Sequence, residues 1–171
     1  MISAVAVIIG FASYAFVMLS IFRLFRGNYF NPIVKIFATY LEPVSKNLFF
    51  FLPPLFAAIA LALVLKFASF YLAYSSGYET LTLFYLSVID VFNSGFRILF
   101  YCVIGSVVLS WVAPGNSHPL LQLIEEISAG ILSPIRKFLP PMGGLDFTPI
   151  IGLLVLNLIN TSFIQIIQSL L

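Results

Sequence analysis

The chain has 171 residues, of which 61% are hydrophobic and only 8% charged, with a mean hydropathy of +1.12. Soluble domains carry about 25% charged residues, so the composition excludes one and describes an integral membrane protein. A net charge of +2 is too small for a nucleic-acid surface, and a single cysteine, Cys102, excludes an internal disulfide and a cysteine metal cluster.

A helix needs about 20 mainly apolar residues to span a bilayer, and four segments qualify: 2–22, 55–74, about 93–112 and 149–168. The predicted fold is an all-α membrane protein with four transmembrane helices. The first segment lacks a basic stretch before it and is followed by Arg23 and Arg26, so it reads as an uncleaved anchor rather than a signal peptide. Between spans one and two lie Arg23, Arg26, Lys35 and Lys46, between three and four lie Arg136 and Lys137, and the connection 75–92 has no cation. By the positive-inside rule both basic connections face the cytoplasm and both termini lie outside it, in a bacterial inner membrane.

The two basic connections resemble each other. One constant offset superposes Asn31-Pro32 on His118-Pro119 and Pro53-Pro54 on Pro140-Pro141, the signature of a duplicated unit. Residues 1–78 form the first unit and 88–171 the second, within one membrane domain. Each holds a span, an amphipathic helix of about twenty residues, a Pro-Pro break and a second span, so the copies run parallel. In the second helix Pro119 suits a first helical position. Leu120, Ile124, Ile127 and Ile131 form its apolar face, with Gln122, Glu125 and Glu126 outside it. The first helix places Ile33, Phe37, Tyr40 and Leu41 inward, with Lys35 and Glu42 outward. Each is expected to lie on the membrane surface, as an anchor or as a docking face for a partner.

The stretch LSPIRKFLPPMGGLDFTP, 132–149, reads as a hinge from surface to span. Ser133 caps and Pro134 restarts a short helix, and Arg136 and Lys137 sit at headgroup level. Pro140-Pro141 ends the helix, and Gly143-Gly144 permits a reversal. Asp146 or Thr148, before Pro149, then accepts from the unpaired N–H groups that open span four.

This stretch, SWVAPGNSHP upstream, and Asn31-Pro32 with Leu41-Glu42-Pro43 in the first unit resemble the YggT family of small bacterial membrane proteins, which is related to YlmG and to chloroplast proteins. The likeness covers nearly the whole chain. It marks Asn31, Pro32, Glu42, Pro43, Trp111, Pro119, Pro134, Arg136, Lys137, Pro140, Met142, Gly143, Gly144, Asp146 and Pro149 as motif positions that contact a partner or lipid. The second unit has Ala129-Gly130 where an acidic-Pro pair is expected, and the first has Ser45-Lys46-Asn47-Leu48-Phe49 in place of the Pro-Ile-Arg string. Each unit keeps the half the other has lost, which points to one composite site. The resemblance implies roles in osmotic stress and potassium balance, in cell division, or, in plastids, in haem attachment to cytochrome b6 or nucleoid organisation; no single reaction unites them.

No catalytic constellation, cofactor motif or metal-ligand spacing appears. His118 is the only histidine and precedes a helix-starting proline. The polar content of the spans says more. Asn157, Thr161, Gln165 and Gln168 form one stripe on span four, with Asn160 beside them, and such a stripe must face protein or water. Lys66 and Asn160 lie about 16 Å from the cytoplasmic edge, and Arg97 is expected a few ångströms further out. Two readings stand. The stripe is interhelical glue, with Lys66 and Arg97 snorkelling or pairing with Asp90, or the cluster lines a pathway or pocket. Small residues at Ala6 and Gly10, Ala58 and Ala62, and Ser106 and Ser110 allow close helix approach. The expected function is that of a non-enzymatic scaffold or assembly factor, with a small ion or solute transport protein as the alternative. Its partners are the lipid bilayer and other membrane proteins, and a homodimer would enclose the stripe.

Overall fold

The computed structural model describes residues 4–113, 115, 117–139 and 146–170. The described residues form helices α1 (Ala4–Leu24), α2 (Pro32–Tyr40), α3 (Glu42–Leu48), α4 (Pro54–Tyr74), α5 (Thr80–Val112), α6 (Pro119–Phe138) and α7 (Thr148–Gln168), with no strand among them. Helices α1, α4, α5 and α7 are long and apolar enough to cross a membrane. Apolar composition and span length place three of them within two residues of their observed ends. The third span differs, because α5 has 33 residues rather than about twenty. The extra turns, Thr80 to Phe92, are mainly apolar and carry one charge, Asp90, which is met by Lys66 of α4. No helix-breaking residue interrupts them.

Helix α1 packs along α4, and α5 packs on α4, α6 and α7. Lipid tails are as apolar as leucine, so spans associate through close packing and hydrogen bonds rather than exclusion from water. The α1–α4 seam is built that way. Ala6, Gly10, Ala58 and Ala62 are buried in it, and Ser13 Oγ donates to Ala62 O at 2.8 Å while Ser69 Oγ donates to Ala6 O at 2.7 Å. A β-carbon on Gly10 would meet Ser69 Oγ at 3.0 Å, so the second bond depends on a glycine opposite it. Between α5 and α6, Ser106 and Ser128 share a 2.6 Å hydroxyl contact; Ser110 is exposed. The main core gathers Phe16, Leu19, Phe22, Val34, Leu61 and Leu123, and a smaller one joins Val103, Leu132 and Leu156.

The connecting helices depart from their predicted form in four ways. First, α2 and α3 are separate, because Pro43 has no N–H to give Thr39 and the helix turns at Leu41. Second, Tyr40 faces out at 70% exposure, Val34 is the buried residue of α2, and Glu42 is buried rather than outward. Glu42 is drawn in by two cations, Arg23 and Lys46. Third, the buried face of α6 is Leu123, Ile127, Ser128 and Leu132, and Leu120 is exposed. Fourth, Ser133 and Pro134 do not restart a helix: α6 runs through Pro134. It forfeits one N–H···O bond there, while Leu132 and Ile135 on either side hold the turn against α5 and α7.

Candidate functional site

The motif positions are set by capping. Asn31 Oδ1 accepts from Ile33 N–H at 3.0 Å, capping α2 with Pro32 at its start, and its Nδ2 donates to Pro119 O at 2.7 Å. His118 Nδ1 accepts from Leu120 N–H at 3.2 Å and caps α6 with Pro119 at its start. The two dipeptides matched by the sequence offset thus make the same cap, and Asn31 ties one helix start to the other.

Glu42 and Arg136, charges from the two halves of the expected composite site, are not joined. Glu42 bonds Arg23 at the end of α1, and Lys46 at 2.7 Å one turn along α3. Arg23 also lies 5.0 Å from the centroid of the Tyr29 ring. Arg136 donates from Nε and Nη2 to Asp146 Oδ2, at 3.3 and 3.0 Å. Asp146 Oδ1 in turn accepts from the Thr148 hydroxyl at 2.5 Å and the Thr148 N–H at 2.9 Å, holding the first turn of α7. The Thr148 hydroxyl above all, with its N–H and the Arg136 guanidinium adding to it, holds the Asp146 carboxyl below its ordinary value against the opposing effect of burial. Each half of the motif is closed on its own partner.

Gly130 has a steric role that explains one departure from the motif. A β-carbon there would lie 2.5 Å from Phe25 Cδ1, so the proline expected at that position has no room, whereas Pro43 in the first unit is exposed. Between α5, α6 and α7 a cavity of about 760 Å³ opens beside the hinge, lined by Trp111, Glu125, Arg136, Asp146, Pro149 and the apolar flanks of the three helices. Trp111 is 82% exposed, and Lys137 is exposed next to Arg136 in the last turn of α6. Pro140, Met142, Gly143 and Gly144 lie outside the described residues.

The intramembrane polar cluster separates into three parts. Lys66, buried in α4, sits 2.7 Å from Asp90 Oδ2, a charge contact whose angle is not that of a hydrogen bond. Its ammonium also bonds Tyr14 Oη at 3.3 Å and lies over the Tyr14 and Phe70 rings. Asn160 Nδ2 donates to Asn93 Oδ1 at 3.0 Å and ties α7 to α5, while Asn160 Oδ1 is buried without a donor. The third part is the stripe itself: Asn157, Thr161, Gln165 and Gln168 are all exposed, as is Arg97. Sequence reasoning found these residues but not Asn93, whose only sequence mark was a polar side chain inside a span.

Four bilayer-length helices, with no cluster of His, Cys, Asp or Glu fit to hold a metal among the described residues, define a helical multi-pass membrane protein. A family model described as CCB3/YggT matches residues 85–167. An uncharacterised protein of Pseudomonas aeruginosa is 33% identical over 149 residues, covering 82% of this chain and 76% of its own. An uncharacterised Haemophilus influenzae protein is 29% identical over 147 residues, 85% of this chain and 81% of its own. The uncharacterised protein YggT of Escherichia coli is 35% identical over 72 residues, 42% of this chain and 38% of its own. No solved structure matches. This chain belongs to the CCB3/YggT family.

Proposed function

We propose that the protein is a non-enzymatic scaffold of the bacterial inner membrane, built from two parallel units whose amphipathic helices lie on the cytoplasmic surface and whose termini lie outside. The observation that carries the reading is the outward placement of Asn157, Thr161 and Gln165 on α7. Amides and hydroxyls left in lipid are unsatisfied, and each such group is expensive. A neighbouring membrane protein satisfies them. The matching caps at Asn31 and His118, and the pairing of α1 with α4 and of α5 with α7, support the two-unit arrangement. Roles in osmotic stress, cell division or assembly of a membrane complex all accommodate such a scaffold.

A transport protein is the second reading, favoured by the intramembrane charges. Against it, Lys66 is matched by Asp90 and Asn160 is tied to Asn93, while the stripe points away from the chain's own bundle. Cations near a pathway also oppose potassium entry by Coulomb repulsion. The test is ion flux from liposomes holding the purified chain. The scaffold reading expects potassium and chloride release no faster than from empty vesicles; release well above that level overturns it.

A further inference from the structure

Arg97 stands on the membrane-facing side of α5 with no carboxylate or hydrogen-bond partner among the described residues. Its depth follows from the Asn93–Asn160 bond, which fixes the register of α5 on α7. From Thr148 to Asn160, α7 rises about 18 Å, and Arg97 lies one turn, about 6 Å, from Asn93 towards the Thr148 end. It therefore sits about 12 Å from the start of α7, well inside a hydrocarbon layer about 30 Å thick. That is nearer the cytoplasm than the level of Lys66 and Asn160, the reverse of the sequence expectation, because α5 overshoots its neighbours at this end.

Two observations meet at this position. Arg97 lines a cavity of about 220 Å³ with Tyr101, Asn157 and Asn160, and Asn160, which lines the same cavity, carries the buried acceptor that lacks a donor. A guanidinium stays charged in any protein environment, and in mid-bilayer it pairs with an anion or faces water. The chain's own acids do not serve. Glu42, Asp90 and Asp146 are held by Arg23, Lys66 and Arg136. Glu79 precedes α5 at its far end, and Glu125 and Glu126 lie on α6. A second copy would bring the same acids, already engaged or at other depths, and a second Arg97.

We propose that the α5–α7 outer face receives a spanning helix of a different membrane protein, one that carries a carboxylate near the bilayer middle. That carboxylate seats on Arg97, and a neighbouring hydroxyl or amide of the same helix donates to Asn160 Oδ1. This deepens the scaffold reading and rests on it by naming the partner's chemistry.

The probe is a lysine-flanked polyleucine helix of about 20 residues with one central aspartate, or leucine in its place. It is labelled for energy transfer to the full-length protein in zwitterionic liposomes. The aspartate helix is expected to associate at least about tenfold more tightly than the leucine helix, a preference that Arg97→Leu removes and Arg97→Lys keeps in part. Arg97 is exposed, so these variants should insert and unfold as the parent does, and a thermal melt checks that. Equal association of the two helices overturns the proposal, as does a preference that survives in Arg97→Leu. Self-association of labelled copies that Arg97→Leu abolishes makes the second copy the occupant and overturns it too. Failure here with no ion flux leaves the scaffold reading intact, whereas flux with the aspartate preference retained removes that reading alone.

Discussion

The α1–α4 pair and the α5–α7 pair solve the same problem in opposite ways. In the most apolar 18 residues of α1 and α4, 44% and 33% are buried inside the chain, against 11% for both α5 and α7. The first pair turns its polar groups inward, as serine bonds to facing carbonyls and as the Lys66–Asp90 contact. The second pair holds one amide pair inside and leaves its stripe outside. A membrane helix that satisfies its own polar groups is finished as a monomer, and one that does not is built for company.

The sharpest way to break that contrast is at Lys66. Lys66→Leu leaves Asp90 without its cation, and losing one partner of a buried pair costs about 3–5 kcal/mol. Unfolding in detergent should show a loss near the lower end of that range, because Asp90 keeps 32% of its side-chain surface exposed. Gly10→Leu should cost about 1–3 kcal/mol by overpacking, since even a β-carbon meets Ser69 Oγ at 3.0 Å. Ser13→Ala should cost about 0.6 kcal/mol, one interhelical bond. At the other pole, replacing Asn157, Thr161 and Gln165 together by leucine should move monomer stability by less than about 0.5 kcal/mol per site while abolishing association with membrane partners. A large stability loss there would show the stripe to be internal glue.

The hinge supplies a pH test. Asp146 has a lowered pKa in the folded chain, so its contribution is present above the unfolded carboxylate value of about 4. It is lost as pH falls through the lowered folded value. The start of α7 should therefore loosen in strong acid, read as faster amide exchange at Thr148, and Asp146→Asn should show that faster exchange already at neutral pH.

Much of this architecture was legible in the sequence for physical reasons. Bilayer thickness fixes span length, so four spans could be read from hydropathy, and Asn-Pro and His-Pro announce helix starts because their side chains accept from the N–H groups that follow. The turn at Leu41 followed from Pro43 but was hidden by the apolar period on both sides of it. Glu42 read as a solvated charge, since nothing local reveals that Arg23 and Lys46 converge on it. The depth of Arg97 depends on how far α5 overshoots α7, a tertiary quantity set by Asn93 and Asn160. Pro134 inside α6 shows the limit of local rules, since packing on both sides outweighs one missing bond.

The central claim, that the outer face of α7 is an association surface, is tested most directly by crosslinking along that helix. Single cysteines at Asn157, Ile159, Thr161, Gln165 and Ile166, introduced with Cys102 replaced by alanine, are treated in native membranes with a short bifunctional thiol reagent. Protein adducts are expected at Asn157, Thr161 and Gln165, spaced one helical turn apart, with few at Ile159 and Ile166, which are exposed on the other side of α7. Adducts of equal yield at all five positions, or at none of them, would contradict it.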